Sequence, residues 1–195
     1  MQIEPVTLEG QHVRLEPLSH AHYAGLCEVG LDPDLWRLIP HRVTSPEDMS
    51  SSIAGMLADQ AKGATLPFAT TEVASGKVIG STRYMNIDVS NRRVEIGGTW
   101  IAKPWQRSAI NTEAKYLMLR HAFEVFGCVR VELKTDALNL QSRNAILRIG
   151  AKEEGILRQH VLTWSGRWRD TVYFSVLAAE WPGVKAGLKK KMGRA

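Results

Sequence analysis

Glu95-Ile96-Gly97-Gly98-Thr99-Trp100-Ile101-Ala102-Lys103-Pro104, continued by Trp105-Gln106-Arg107-Ser108-Ala109-Ile110-Asn111-Thr112-Glu113-Ala114, is the stretch on which the reading of this chain turns. Val94 to Ala102 is rich in β-branched and aromatic residues and is closed by Pro104, so it predicts a strand that stops there. A short polar loop follows, then a helix, because Leu119, Ala122, Phe123 and Phe126 recur at helical spacing and Gly127 supplies the stop. Strand, loop and helix N-terminus in that order make a place for a phosphate. The first-turn N–H groups of a helix have no partner within the helix, and its dipole adds partial positive charge. Gln106, Arg107, Ser108 and Thr112 bring side-chain donors to the same turn.

Upstream, Val13 and Leu15 alternate with Arg14 and Glu16, which predicts a first strand over His12 to Pro17. Ser19 reads as the N-cap of a helix that Gly30 ends, with Leu18 and Tyr23 placed as a hydrophobic staple. Ser45-Pro46-Glu47-Asp48 opens a second helix, with Met49, Ile53, Met56 and Leu57 as its apolar stripe and Gly63 as its end. Pro67 to Val73 and Lys77 to Ile87 read as a hairpin about Ser75-Gly76, so three antiparallel strands lead into the central stretch. Downstream come a strand at Val129 to Thr135, a short helix at Asn139 to Ile149, and a strand pair at Gly155 to Leu162 and Trp168 to Leu177. This order implies an α/β chain of the α+β kind, a mixed and mostly antiparallel sheet with helices on both faces. Residues 1–181 read as one domain, and residues 182–195 as a basic tail.

Composition narrows the function classes. A chain of 195 residues that is 44% hydrophobic can bury a core. It has no apolar run of about 18 residues and no basic-then-apolar start, so the expectation is a cytoplasmic protein without a membrane partner. The net charge of +5 is carried by Lys185, Lys189, Lys190, Lys191 and Arg194, which leave 20 basic and 20 acidic residues in the body. Nucleic acid is therefore not expected as a partner of the body. The tail either solvates the C-terminal end or touches RNA or an acidic partner. Cys27 and Cys128 lack any paired spacing and read as buried thiols. No metal site is expected, since the histidines do not cluster in ligand spacing, and no Gly-x-Ser-x-Gly elbow marks a hydrolase.

Glu-Ile-Gly, Trp-Ile, Pro, the Gln106-Arg107 loop and Asn111-Thr112-Glu113-Ala114 together resemble the acetyl-coenzyme A site of the GNAT acyltransferases, most of all the subgroup of ribosomal-protein N-terminal acetyltransferases. A second likeness lies at Asp136-Ala137-x-Asn139-x-x-Ser142-x-x-Ala145 with Ile149-Gly150-Ala151-x-x-Glu154-Gly155. The chain departs from the family's Gln/Arg-x-x-Gly-x-Gly/Ala loop by carrying Ala109 and Asn111 at the glycine positions. Either the loop keeps φ negative at both, or its hold on pyrophosphate is weaker.

The resemblance implies an acyl-CoA N-acyltransferase fold and acetyl-CoA as co-substrate, bound by Trp100, Ile101, Gln106, Arg107, Ser108, Ala109, Ile110, Asn111 and Thr112. It also implies that Asn139 bonds pantetheine or the thioester end, with Ser142 near the sulfur; capping its own helix is the other role open to Asn139. The acceptor implied is a primary amine, on a peptide N-terminus or a small molecule. Such an amine attacks only when neutral, so a base is wanted. Glu95 is the candidate, with Gly97 and Thr99 expected on its face to leave room; a structural tie to Arg83 and proton loss through water are the alternatives. Ser142 stands as the candidate acid for the leaving thiolate. Trp36, His41 and Arg42, with Trp164, Arg167 and Trp168, would wall the acceptor pocket and disfavour polyamines, or else make a homodimer contact. A coenzyme-A-binding or protein-interaction module with little transfer is the second class of function.

Overall fold

In the computed structural model, which describes residues 1–193, Val13 and Leu15 are buried while Arg14 and Glu16 between them are half-exposed. The same period of two runs through residues 130–135, whereas residues 65–71 are buried without a break and residues 152–160 exposed without one. The strands are β1 (Leu8–Glu9), β2 (Val13–Pro17), β3 (Thr65–Glu72), β4 (Val78–Asp88), β5 (Arg93–Ile101), β6 (Arg130–Asp136), β7 (Lys152–Leu162) and β8 (Trp168–Leu177). They form one sheet in the order β1-β2-β3-β4-β5-β6-β8-β7. Every neighbour is antiparallel except β5 and β6, which pair in parallel over only Arg93–Glu95 and Arg130–Glu132.

The helices are α1 (Tyr23–Gly30), α2 (Pro46–Ala61), α3 (Ala109–Glu124), α4 (Leu140–Arg148) and α5 (Trp181–Lys191). Leu26 of α1 and Met49 and Ile53 of α2 share one core with Trp36, Ala69 and Trp100. α3, Ile146 of α4, and Trp181 and Leu188 of α5 share the larger core on the other face. Ser45 starts α2 as read from the sequence: its hydroxyl accepts from the Asp48 N–H, and the Asp48 carboxylate accepts from the Ser45 N–H. Among the described residues no helix is long and apolar enough to cross a membrane, and both cysteines are free thiols.

Two expectations change. The segment after Pro182, read as a solvated basic tail, is helical to Lys191, with Leu188 1% exposed and Lys185 bonded to Glu124 of α3 at 2.7 Å. Apolar residues at Trp181, Val184 and Leu188 have helical spacing and pack the helix into the larger core. Arg194 lies outside the described residues. α3, read as carrying one apolar stripe, is buried nearly all round from Thr112 to Leu119, including Glu113 and Lys115. Glu113 accepts the N–H groups of Gln11, His12 and Val13 at 2.6–2.9 Å and so fixes the β1–β2 turn to the central helix.

Candidate active site

Beyond Glu95 and Glu132 the parallel ladder stops, although β5 runs on to Ile101 and β6 to Asp136. The two strands diverge and leave a wedge whose upper end meets the first turn of α3. Along β5, Gly97 lies opposite Arg83 and Trp100 opposite Ser81, three steps against two, so β5 carries an extra residue. Gly98 takes the left-handed conformation this bulge needs, at φ +58°. The bulge corrects the expectation that Thr99 shares the Glu95 face. Its hydroxyl turns instead toward α3, accepting from Lys115 Nζ at 2.7 Å and sharing a 2.7 Å hydrogen bond with Thr82.

Backbone direction in the wedge follows from one bond. The Ala102 N–H donates to Ile79 O on β4. Strand residues alternate the edge they address, so the main-chain groups of Ile101 and Thr99 face the wedge. Ile101 O there accepts from Gln106 Nε2 at 2.7 Å. The neighbouring N–H groups are suited to bond a carbonyl oxygen, and to stabilise negative charge on it.

The loop at the head of α3 keeps φ negative at Ala109 and Asn111, which both lie inside the helix; the left-handed residue is Arg107, at φ +58°. That conformation costs a non-glycine residue about 1 kcal/mol. Ser108 is the N-cap, accepting from the Ile110 N–H at 3.3 Å and donating to Trp105 O at 2.7 Å. Arg107, Ser108 and Ala109 are exposed, and Ile110 is buried beneath them. Thr112 is also buried, its hydroxyl accepting from Arg148 of α4 at 2.9 Å. Asn111 Oδ1 is buried without a partner among the described residues. Gln106 and Gln141 approach within 3.5 Å and join the heads of α3 and α4.

Asn139 is the N-cap of α4, its oxygen accepting from the Ser142 N–H at 3.0 Å, which leaves its amide N–H groups free for another partner. Among the described residues the Ser142 hydroxyl makes no hydrogen bond. Glu95 and Ser142 are not in contact. Glu95 lies opposite Glu132, whereas α4 begins past Asp136, at least about 13 Å further along the strand.

Glu95 is 1% exposed. One carboxylate oxygen accepts from Asn86 at 2.7 Å and pairs with Lys134 at 3.0 Å. The other has no partner. A β-carbon on Gly97 would come within 2.9 Å of that free oxygen and 2.6 Å of Met85 Sδ, so the glycine lets the carboxylate and the methionine pack close together. Asn86 and Lys134 escaped the sequence reading because nothing in their spacing separates them from ordinary strand residues.

The walls foreseen for an acceptor do meet. Trp164 donates from its indole to Trp36 O at 3.0 Å and from its backbone to Pro40 O at 2.9 Å, and Arg42 lies 5.0 Å over its ring. Trp36 itself is a core residue, 1% exposed, with its indole N–H on Gly30 O. It backs a narrow cavity of about 20 Å³ shared with His41, Arg83, Gly98 and Trp100, room for a single water. His41, at the rim, is pushed below its ordinary value by surrounding protein and by the Arg83 charge. Arg167 pairs with Asp136.

Residues 12–152 match the family described as acetyltransferase (GNAT) domain. The chain is 37% identical over 110 residues to the Bacillus subtilis (strain 168) protein named "putative ribosomal N-acetyltransferase YdaF", a match covering 56% of this chain and 59% of that protein's length. The crystal structure of a GCN5-related N-acetyltransferase from Brucella melitensis superposes with a TM-score of 0.87 at 33% identity, covering 96% of this chain and 86% of that one. Mycobacterium smegmatis RimJ, solved in complex with CoA-disulfide, shares the fold with a TM-score of 0.82 at 24% identity, over 97% of this chain and 96% of that one. A strand pair split beside a helix N-terminus, and a family match across most of the chain, lead to one conclusion: this chain belongs to the GNAT acetyltransferase family.

Proposed function

We propose that this protein is an N-acetyltransferase that takes the acetyl group from acetyl-CoA and places it on a primary amine, by direct attack of the amine on the thioester. The observation that carries this reading is the wedge between β5 and β6, with the Thr99 and Ile101 main-chain groups facing it and the α3 head at its open end. Arg107 and the first-turn N–H groups of α3 behind Ser108 receive the pyrophosphate. The Thr99 and Ile101 N–H groups align the pantetheine and bond the oxyanion. Glu95 takes the proton of the incoming amine through its unpartnered oxygen, directly or through one water. Lys134 and Asn86 position that carboxylate. Ser142 is left to protonate the leaving thiolate, which can also depart unaided because a thiol of ordinary acidity ionises near neutrality. The acceptor is an amine on a peptide or protein N-terminus, a reading supported by the name of the Bacillus relative. The alternative, a coenzyme A binder without transfer, drew its motive from the missing loop glycines. Negative φ at Ala109 and Asn111 removes that motive.

The test is calorimetry with acetyl-CoA followed by a free-thiol release assay against N-terminal peptides and small amines. Binding is expected for the wild type and weaker binding for Arg107→Glu, which sets a carboxylate against the pyrophosphate. Unchanged affinity in that variant would remove the turn from the site. Binding without thiol release for any amine would favour the binding module.

A further inference from the structure

On the Glu95 side of the wedge stand two guanidinium groups for which the chain supplies no acceptor. Arg83 leaves β4 opposite Gly97 and lies across the bulge, so that a β-carbon on Gly98 would come within 2.9 Å of its Nε. Arg169 leaves β8 two residues beyond Thr171, the partner of Asp136, and is 5% exposed. In each the Nε is buried and unpartnered, and neither guanidinium makes a hydrogen bond or ion pair among the described residues. The other cations nearby are all engaged: Lys134 with Glu95, Arg167 with Asp136, and Arg42 over the Trp164 ring.

The local charges do not balance. Arg83, Lys134, Arg167 and Arg169 face Glu95 and Asp136, a surplus of two positive charges. Asp59, the further acid whose field reaches Arg83, is bonded to Lys62 at 3.3 Å. Burial opposes the charge on both arginines, drawing each below its ordinary value. A buried charge is retained when something pairs it, and an arginine fork fits a carboxylate with two parallel bonds. The strand order β4-β5-β6-β8 sets the two arginines on opposite sides of the wedge. Register puts both on the Glu95 face of the sheet, Arg83 opposite Gly97 and Arg169 two residues from Thr171, the partner of Asp136.

We infer that Arg83 and Arg169 together seat an anionic group of the acceptor, a carboxylate a few bonds from the amine that Glu95 deprotonates. This rests on the transferase reading of the same site and narrows its substrate class to amines that carry a carboxylate close by. An acidic residue next to a peptide N-terminus meets that description. Polyamines and lysine-rich N-termini do not, because they bring positive charge to a site that already has too much.

The experiment uses the full chain with acetyl-CoA and pairs of alanine-led tetrapeptides that differ only by Asp or Asn at the second or third position. In the thiol-release assay kcat/KM should favour the Asp member of at least one pair by about tenfold to a hundredfold, the worth of a charge-assisted bond. That ratio should fall to within about twofold in Arg169→Gln and in Arg83→Gln, each checked for a native unfolding transition; two variants guard against one that does not fold. Ratios near one for every pair in the wild type overturn the inference. Calorimetry of the same peptides in the presence of coenzyme A needs no turnover. Tighter binding of the Asp peptide, lost in either variant, upholds the anion site even where no acetyl group moves, and only the transferase reading then fails. Equal binding of both members overturns the anion site and leaves the transferase reading intact.

Discussion

Lys115→Met should stabilise the protein near neutral pH and abolish a pH dependence that the wild type shows up to about pH 10. Lys115 is 7% exposed, its one acceptor is Thr99 Oγ1 at 2.7 Å, and burial pushes it from 10.5 down to about 7. The folded protein therefore gives up this proton at lower pH than the unfolded chain. Between the two values the unfolded chain holds more protons, so stability rises with pH across that window. The gap amounts to about 5 kcal/mol against folding, fully felt below pH 7 and absent above about pH 10.5. Between pH 7.5 and 9 the wild type should recover about 2 kcal/mol relative to the variant. Methionine keeps the aliphatic stem and gives up the bond to Thr99, which costs about 1 kcal/mol since Thr99 retains Thr82. Net stabilisation at pH 7.5 is then about 3 kcal/mol. Urea unfolding of both proteins at pH 6, 7.5 and 9 measures it. Parallel stability curves, with a constant difference at all three values, would refute the argument by showing that Lys115 titrates alike in both states.

Glu113→Ala leaves the N–H groups of Gln11, His12 and Val13 without their acceptor and should cost about 3 kcal/mol or more; a urea midpoint within error of the wild type would deny the clamp a role in stability. Glu95→Gln should lower kcat at least about tenfold while acetyl-CoA affinity stays within about twofold, because the missing charge acts on the amine. Unaltered kcat would assign Glu95 to holding Lys134 and Asn86.

Much of the site was legible because its signals are local. The Ser45 cap and the stop at Gly127 need only neighbours within a turn of chain, and each appears where it was read. The strand, loop and helix about Gln106 follow from a proline, a cap and a helical period over some thirty residues. The missing glycines were harder to judge. Which residue of a loop takes positive φ depends on where the helix begins, and here it begins early enough to put Ala109 and Asn111 inside it. Thr99 was misplaced for a similar reason: one extra residue at Gly98 reverses every later side chain on β5, and a pair of glycines does not say which of them bulges.

The order of the elements, their caps and the chemistry of the central loop were thus determined by the sequence alone, since these depend on backbone sterics and on hydrogen bonds within a few residues. Tertiary structure decided what each polar side chain means. Glu113 meets residues a hundred positions away, α5 needs α3 before its apolar side is a core, and Arg83 and Arg169 become a pair only once β4 and β8 stand on either side of the split. Burial and charge pairing are properties of the assembled sheet, set by which strands diverge and which helices cover them, and no local period encodes them.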